Sequence, residues 1–382
     1  MTSTEFRAGL KIEDISIFNL WGKDKITLPI NEQVTFLTGI NGSGKSTLLN
    51  IIYDSLILDP KKKSLPSTSK NRFWSSRCSF TNEFIMDTLV LPYSENNKVD
   101  LEELDEILQG NLDNSRVVKK VQKIFHDAEV AEQLTYISYD AEPRGEIWRK
   151  QTFSPELMGM KDADLYFREQ EPLGFIYQED RVSLHANRDG DKEKNLFYKS
   201  VYRSSIDDRF SHIRTVIQAR ESVYYKRLAD VFSKISHDKF VFDEVIKSKD
   251  YLEISQKVEE IDNVVSILNS YFEASGKELV RDEENKYTLA LLSDEERMPI
   301  SWNLLSRGEK TIIYLFFAIY HYKDKVNVFL LDEPDTSLHV SWQENLIKDL
   351  VSIAPSNQFI IATHSPSLVM NGWLDNCLEL KV

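Results

Sequence analysis

The stretch Gly39-Ile40-Asn41-Gly42-Ser43-Gly44-Lys45-Ser46, followed by Thr47, fits the pattern G-x-x-x-x-G-K-[ST] at every fixed position. That spacing suits a phosphate cradle. Glycines at 39, 42 and 44 can take positive φ, so successive backbone N–H groups of residues 41–47 can turn inward around the β-phosphate of a nucleotide. Lys45 would reach the β- and γ-phosphates, and the Ser46 hydroxyl would hold Mg²⁺. A second set of polar residues stands near the other end of the chain. Val328-Phe329-Leu330-Leu331 runs directly into Asp332-Glu333, and Phe359-Ile360-Ile361-Ala362-Thr363 runs into His364.

These groups need elements to carry them. Val34-Thr35-Phe36-Leu37-Thr38 is β-branched and aromatic, as a buried strand is, and residues 46–53 read as a helix, so the glycines fall between a strand and a helix N-terminus. Such a terminus points free N–H groups and its positive dipole end at an anion. The apolar runs before Asp332 and His364 read as parallel-type buried strands, and open α/β sheets bind ligands at the C-terminal ends of such strands.

The remainder of the chain frames these motifs. Residues 10–20, 25–28 and 34–38 predict three short strands, giving a β-rich start. Residues 72–93 are strand-like, residues 101–125 have helical spacing with acidic residues between the apolar ones, and residues 134–139 and 146–153 suggest a hairpin. Residues 173–177 read as a strand ending at Gln178. From about 196 to 272 the pattern is mainly helical, with Ile254, Val258, Ile261, Val264, Leu268 and Tyr271 on one stripe. Two helices of roughly 30 residues would each span about 45 Å, and no heptad pattern persists long enough for a long coiled-coil arm. A strand at 287–292 and an apolar helix at 311–320 follow.

With 382 residues, 41% hydrophobic and 28% charged, the chain can bury a sizeable core. No apolar run approaches the ~20 residues of a membrane span, and the first residues lack the pattern of a signal peptide, so no membrane is expected and the cytoplasm is the default location. The only cysteines, Cys78 and Cys377, lack metal-ligand spacing and read as packing residues. A net charge of −14 argues against a surface that binds nucleic acid everywhere. Charge is uneven, however. Residues 188–239 hold 12 Lys and Arg against 8 Asp and Glu. An ordinary mixed-charge helix surface is the commoner meaning, and a docking face for nucleic acid or an acidic partner is the functional one.

Leu305-Ser306-Arg307-Gly308-Glu309 resembles the signature motif of ABC-type ATPases and stands in order between the P-loop and the acidic strand. Asp332-Glu333-Pro334-Asp335-Thr336-Ser337-Leu338-His339 looks like the Walker B and D-loop of the OLD-like and SMC/RecF branch, and Thr363-His364-Ser365-Pro366 like its H-loop. The resemblance implies an α/β P-loop NTPase: an ABC-ATPase head with a β-rich N-terminal lobe, a mostly parallel sheet and a helical insertion. The head would occupy residues 1–195 and 281–382, with the insertion at 196–280.

The resemblance also implies ATP and Mg²⁺ as ligands and assigns roles. Asp332 would organise Mg²⁺, Glu333 would orient or deprotonate the attacking water, and His364 would contact the γ-phosphate. Ser306 and Gly308, with Glu309, would meet the γ-phosphate bound to another subunit, so a head-to-tail homodimer is implied. A Q-loop glutamine that also touches the metal is Gln178 by position, with Gln151 the weaker candidate.

Ser306 lies 261 residues after Lys45, a spacing that separates this chain from transporter subunits. The resemblance is closer to stand-alone ATPases of prokaryotic antiphage systems of the Septu and PARIS types, which act with a separately encoded effector. With residues 366–382 after the H-loop, the C-terminal nuclease of OLD enzymes is not expected in this chain. An ATPase subunit of a defence complex is therefore the leading expectation, its turnover slow and regulatory. A RecF-like or SMC-like repair ATPase that binds DNA directly, and a regulatory ATP-binding protein with negligible turnover, are the alternatives.

Overall fold

Strand β3 (Val34–Thr38) delivers the chain to the glycine loop, and helix α1 (Lys45–Ser55) leaves it. The structure is a computed structural model that describes residues 7, 9–18, 20, 25–57, 74–92, 134–139, 145–152, 173–178, 205–233, 245–292 and 297–380. The helical spacing at 101–125 lies outside the described residues.

Two sheets enclose α1. The first is antiparallel and six-stranded, built from β1 (Ile12–Phe18), β2 (Lys25–Pro29), β4 (Trp74–Phe80), β5 (Ile85–Pro92), β6 (Leu134–Tyr139) and β7 (Gly145–Thr152), in the order β2-β1-β4-β5-β7-β6. The strand-like stretch at 72–93 is thus a hairpin. The second sheet is parallel and five-stranded. It holds β8 (Gly174–Gln178), β12 (Val328–Asp332), β13 (Gln358–Ala362) and the short β14 (Cys377–Glu379) in the order β14-β3-β13-β12-β8.

Strands β8, β12 and β13 are buried at every position, which is why their sequences run apolar instead of alternating. Because α1 packs on β4 and β5 on one side and on β8, β12 and β13 on the other, it too is buried nearly all round. Gln358 fastens the two sheets together. Its Oε1 accepts from the Ile12 backbone N–H at 2.6 Å and its Nε2 donates to the carbonyls of Ile12 and Asn31 at 2.9 and 3.0 Å.

The helical stretch after β8 contains α2 (Ile206–Ser233) and α3 (Lys249–Phe272), helices of 28 and 24 residues. Ser248 caps α3 by accepting from the Tyr251 N–H, and Ile254, Ile261, Val264, Leu268 and Tyr271 of the apolar stripe are buried. A small antiparallel sheet follows: β9 (Lys277–Arg281), β10 (Tyr287–Leu292) and β11 (Arg297–Pro299) in the order β11-β10-β9. Arg214 of α2, only 2% exposed, fixes this sheet through the Tyr287 carbonyl and Asp282.

Helix α4 (Arg307–Tyr322) is buried without interruption from Gly308 to Tyr320. Its apolar residues pack inward, and Tyr271 and Tyr287 lie against Phe316 and Phe317 at ring-centroid separations of 5.4 and 4.9 Å. Helices α5 (Val340–Ile353) and α6 (Pro366–Val369) complete the C-terminal part. Among the described residues no helix is long and apolar enough to cross a membrane.

Candidate nucleotide site

The parallel strands β3, β12, β13 and β8 all end on one edge of the sheet, and their ends carry the glycine loop, Asp332, Thr363-His364 and Gln178. Pairing sets Asp332 opposite Gln178 on one side and Ala362 on the other. In the loop, Gly39, Gly42 and Gly44 have φ of 144°, 83° and 88°, values that side-chain-bearing residues rarely adopt. Gly44 is the left-handed residue that opens α1. Lys45 is 6% exposed and its Nζ folds back to donate to the carbonyls of Gly39 and Ile40 at 3.0 and 3.3 Å.

The Asp332 carboxylate is held from two sides. Ser46 Oγ donates to Oδ1 at 3.0 Å and Gln178 Nε2 donates to Oδ2 at 3.1 Å. Gln178 is 3% exposed, whereas Gln151 lies in β7, paired with Met86 and Leu134 in the other sheet. Hydroxyl, carboxylate and carboxamide oxygens form a hard donor set, which suits Mg²⁺ more than zinc or copper. Within the glycine loop, the Ser43 Oγ is buried and has no hydrogen-bond partner among the described residues, so it remains available to a ligand oxygen.

Glu333 follows Asp332 with a φ of 49°, unusual for a residue with a side chain, and its N–H donates to the Ala362 carbonyl at 2.8 Å. That turn aims the carboxylate at the H-loop. Its Oε2 lies 2.8 Å from His364 Nδ1 and accepts from the His364 N–H at 3.3 Å. Thr363 Oγ1 donates to Asp335 Oδ1 at 3.0 Å, and Ser365 Oγ donates to Gln343 Oε1 at 2.9 Å, so the loop after β12 is stitched to the end of β13. Burial, with the Glu333 charge adding to it, pushes the Asp335 carboxyl up against the hydrogen bonds that oppose the shift.

Ser306 and Gly308 open α4. Ser306 Oγ accepts from the Glu309 N–H at 3.3 Å while Glu309 Oε2 accepts from the Ser306 N–H at 2.7 Å, a reciprocal cap that the S-x-x-E spacing encodes. The other oxygen, Oε1, pairs with Lys277 Nζ at 2.6 Å. Burial opposes ionisation of Glu309, and the Lys277 ammonium and the Ser306 bonds overcome it, holding the carboxyl below its usual value. Both oxygens of Glu309 therefore stabilise the turn instead of facing outward to a phosphate. Ser306 itself is exposed.

Gly308 has a packing reason of its own, because a Cβ there would stand 2.5 Å from the Ser337 carbonyl oxygen. Ser337 has a φ of 71°, so the loop after β12 is bent directly onto the start of α4. Gly308→Ala is expected to cost about 1–3 kcal/mol through this overpacking, seen as a lower urea midpoint at unchanged slope. A parent-like midpoint would mean that the Ser337 loop can stand clear of α4.

A family model described as "AAA ATPase domain" matches residues 10–369. The chain belongs to this AAA ATPase domain family. It is 32% identical to the retron Ec83 probable ATPase of Escherichia coli over 126 residues, 26% of this chain and 23% of that protein. Over 410 residues it is 24% identical to the retron Vc95 probable ATPase of Vibrio cholerae serotype O1 biovar El Tor, covering 94% of this chain and 71% of the relative. The Septu protein PtuA of Bacillus thuringiensis is 22% identical over 394 residues, covering 98% and 76%. The Septu likeness expected from the motifs thus has a direct counterpart.

Among solved structures, an Smc head bound to the C-winged helix domain of ScpA is 16% identical with a TM-score of 0.44, covering 94% of this chain and 92% of that one. A RecF structure is 13% identical with a TM-score of 0.39, covering 97% and 96%. The α/β P-loop fold with its parallel sheet stands on the topology described above and on the family match.

Residues outside the sequence motifs also reach this region. Lys277, which precedes the signature by almost thirty positions, secures the cap through Glu309. Arg209 donates from α2 to the Gln178 carbonyl at 2.6 Å. Neither lies in a contiguous pattern, so only the folded arrangement reveals them.

Proposed function

We propose that this chain is the ATP-binding and ATP-hydrolysing subunit of a prokaryotic antiphage defence complex, in which nucleotide-dependent pairing of two heads holds or releases a separately encoded effector such as a nuclease. The observation that carries the reading is the Asp332 carboxylate clamped between Ser46 and Gln178, one residue from the Glu333–His364 pair and beside the glycine loop. The N–H groups of residues 41–47 and Lys45 bind the triphosphate, and Ser46, Asp332 and Gln178 hold Mg²⁺. When bound, Mg²⁺ neutralises charge on the phosphates. Glu333 orients the attacking water and accepts its proton, and His364 positions the γ-phosphate end of the site.

Ser306 and Gly308 act on the nucleotide of a second copy. Exposed apolar side chains surround the motif loops: Ile40 in the glycine loop, Leu304 before Ser306, Val340 after the Ser337 loop and Met370 after the H-loop are 79, 74, 55 and 70% exposed. A second head seated on these loops would bury such side chains. Turnover is slow and regulatory, since its task is to set the lifetime of the paired state.

The defence role draws on the likeness to the retron ATPases and the Septu protein. A role in direct DNA binding has less support. Arg209 and Arg214 are buried, Arg214 pairs with Asp282, and Arg220 lies 3.6 Å from Asp324, so these three cations of the basic stretch at 188–239 are already engaged inside the fold.

Co-expression with the genes beside it tests the proposal. An effector protein is expected to co-purify, with its yield changing between ATP and no nucleotide, while DNA binding stays weak. A salt-sensitive, tight DNA complex in the absence of any co-purifying protein would favour a repair ATPase instead.

A further inference from the structure

Among the described residues, strand β8 is the outer strand of the parallel sheet, and its last carbonyl is that of Gln178. Helix α2 supplies the partner. Arg209, 3% exposed, donates from Nη1 to that carbonyl at 2.6 Å, and its guanidinium lies over the Tyr177 ring, 5.7 Å from the centroid. A charged donor on a buried carbonyl is a strong tether, and the ring contact fixes the plane of approach. The tether acts on the backbone of the residue whose side chain grips Asp332 Oδ2 at 3.1 Å.

We propose that Arg209 is a positioning residue for the divalent cation of the nucleotide site: by anchoring the Gln178 backbone from α2, it holds the Gln178 carboxamide on Asp332. The inference rests on the nucleotide-site reading above and adds a residue that lies in none of the motifs. Without the tether, the end of β8 relaxes toward the sheet edge. A shift of about half an ångström takes the Gln178–Asp332 bond beyond hydrogen-bonding range and frees the carboxylate to rotate. The same turn of α2 carries Asp207, whose carboxylate accepts from Lys310 Nζ at 2.5 Å on α4, the helix that begins at the Ser306 cap. One turn of the insertion therefore touches both the cation side of the site and the helix that presents Ser306.

The test measures cation dependence of binding, without turnover. A fluorescent ATP analogue is titrated against the full chain in EDTA and across a range of free Mg²⁺, and the Mg²⁺ concentration that half-maximally raises its affinity is recorded. Arg209→Met keeps the stem over Tyr177 but removes the donor. It is expected to raise that midpoint about 10- to 100-fold and to leave affinity in EDTA unchanged. Arg209→Lys restores a donor on a shorter stem and should fall between Met and the parent. Arg214→Met, at another buried arginine of the same helix, should lower the melting temperature yet keep the parental Mg²⁺ midpoint.

A parental midpoint in folded Arg209→Met overturns the inference. If that variant does not fold, an unmoved midpoint in Arg209→Lys overturns it. If Arg214→Met shifts the midpoint as far as Arg209→Met does, general loosening of α2 explains both and the specific tether is refuted. Failure of the parent to show Mg²⁺-dependent affinity would instead refute the nucleotide-site reading itself.

Discussion

Lys45→Ala is expected to abolish nucleotide binding while leaving the fold in place. The Lys45 ammonium is almost fully buried and already points across the loop, bonded to the Gly39 and Ile40 carbonyls. A triphosphate brings several negative charges to this spot, and backbone N–H groups alone carry only partial positive charge. Removing a buried charged partner costs about 3 kcal/mol or more, roughly 100-fold or more in Kd. Two bonds to loop carbonyls are lost as well, but the surrounding strand and helix are held by a core that Lys45 does not enter. Calorimetric titration with ATP and Mg²⁺ should therefore show no measurable heat of binding, and circular dichroism should match the parent. Parental affinity in this variant would remove the glycine loop from the binding site.

The motifs that require contiguous residues were readable in the chain, because their chemistry depends on local geometry. A turn with three positive-φ positions needs glycines at fixed spacing, and a strand that ends in a carboxylate can be recognised from its own apolar run. The parallel strands, the strand–loop–helix at 34–55 and the two long helices α2 and α3 are all of this kind. What depends on pairing across the chain was not readable. Gln178 and Gln151 each sit near the end of a strand-like run, and nothing local says which strand lies beside β12. The register Asp332 to Gln178 in one sheet, with Gln151 in the other, separates them only after folding.

The signature turn shows the converse case, in which one sequence signal carries two meanings. Glu309 belongs to the pattern that resembles the ABC signature, and it also stands three residues after Ser306, the spacing of a reciprocal cap. Its carboxylate goes to the cap and to Lys277. Gly308 is likewise needed twice over, by the pattern and by the Ser337 carbonyl against it. The basic count at 188–239 suggests a surface, whereas burial of Arg209 and Arg214 turns part of that charge inward. A net charge counts residues without regard to depth, and that is the information the sequence lacks.

Mixing Lys45→Ala chains with Ser306→Arg chains is expected to restore ATPase activity that neither variant has by itself. Ser306 is exposed at the start of α4, and the contacts that define it run to Glu309 rather than to residues 39–47. The helix N-terminus it presents is suited to an anion that arrives from outside the chain. Arginine at 306 fills the approach to that terminus but leaves the chain's own loop intact, so Ser306→Arg should bind ATP with parental affinity and fail to turn it over. Lys45→Ala should do neither. In a head-to-tail pair of the two variants, the intact loop of one chain faces the intact Ser306 of the other, and one composite site is complete. Equal mixing should then give about one quarter of parental turnover, because random pairing makes half of the dimers mixed and each mixed dimer has one working site of two. The measurement is phosphate release after co-refolding or subunit exchange, with mass spectrometry to verify mixed dimers. If mixed dimers form and remain inactive, either Ser306 serves the loop of its own chain or the two sites must turn over together. Pairing Ser306→Arg with the parent separates these cases. An obligatory two-site mechanism silences that dimer entirely, and independent sites leave it half active.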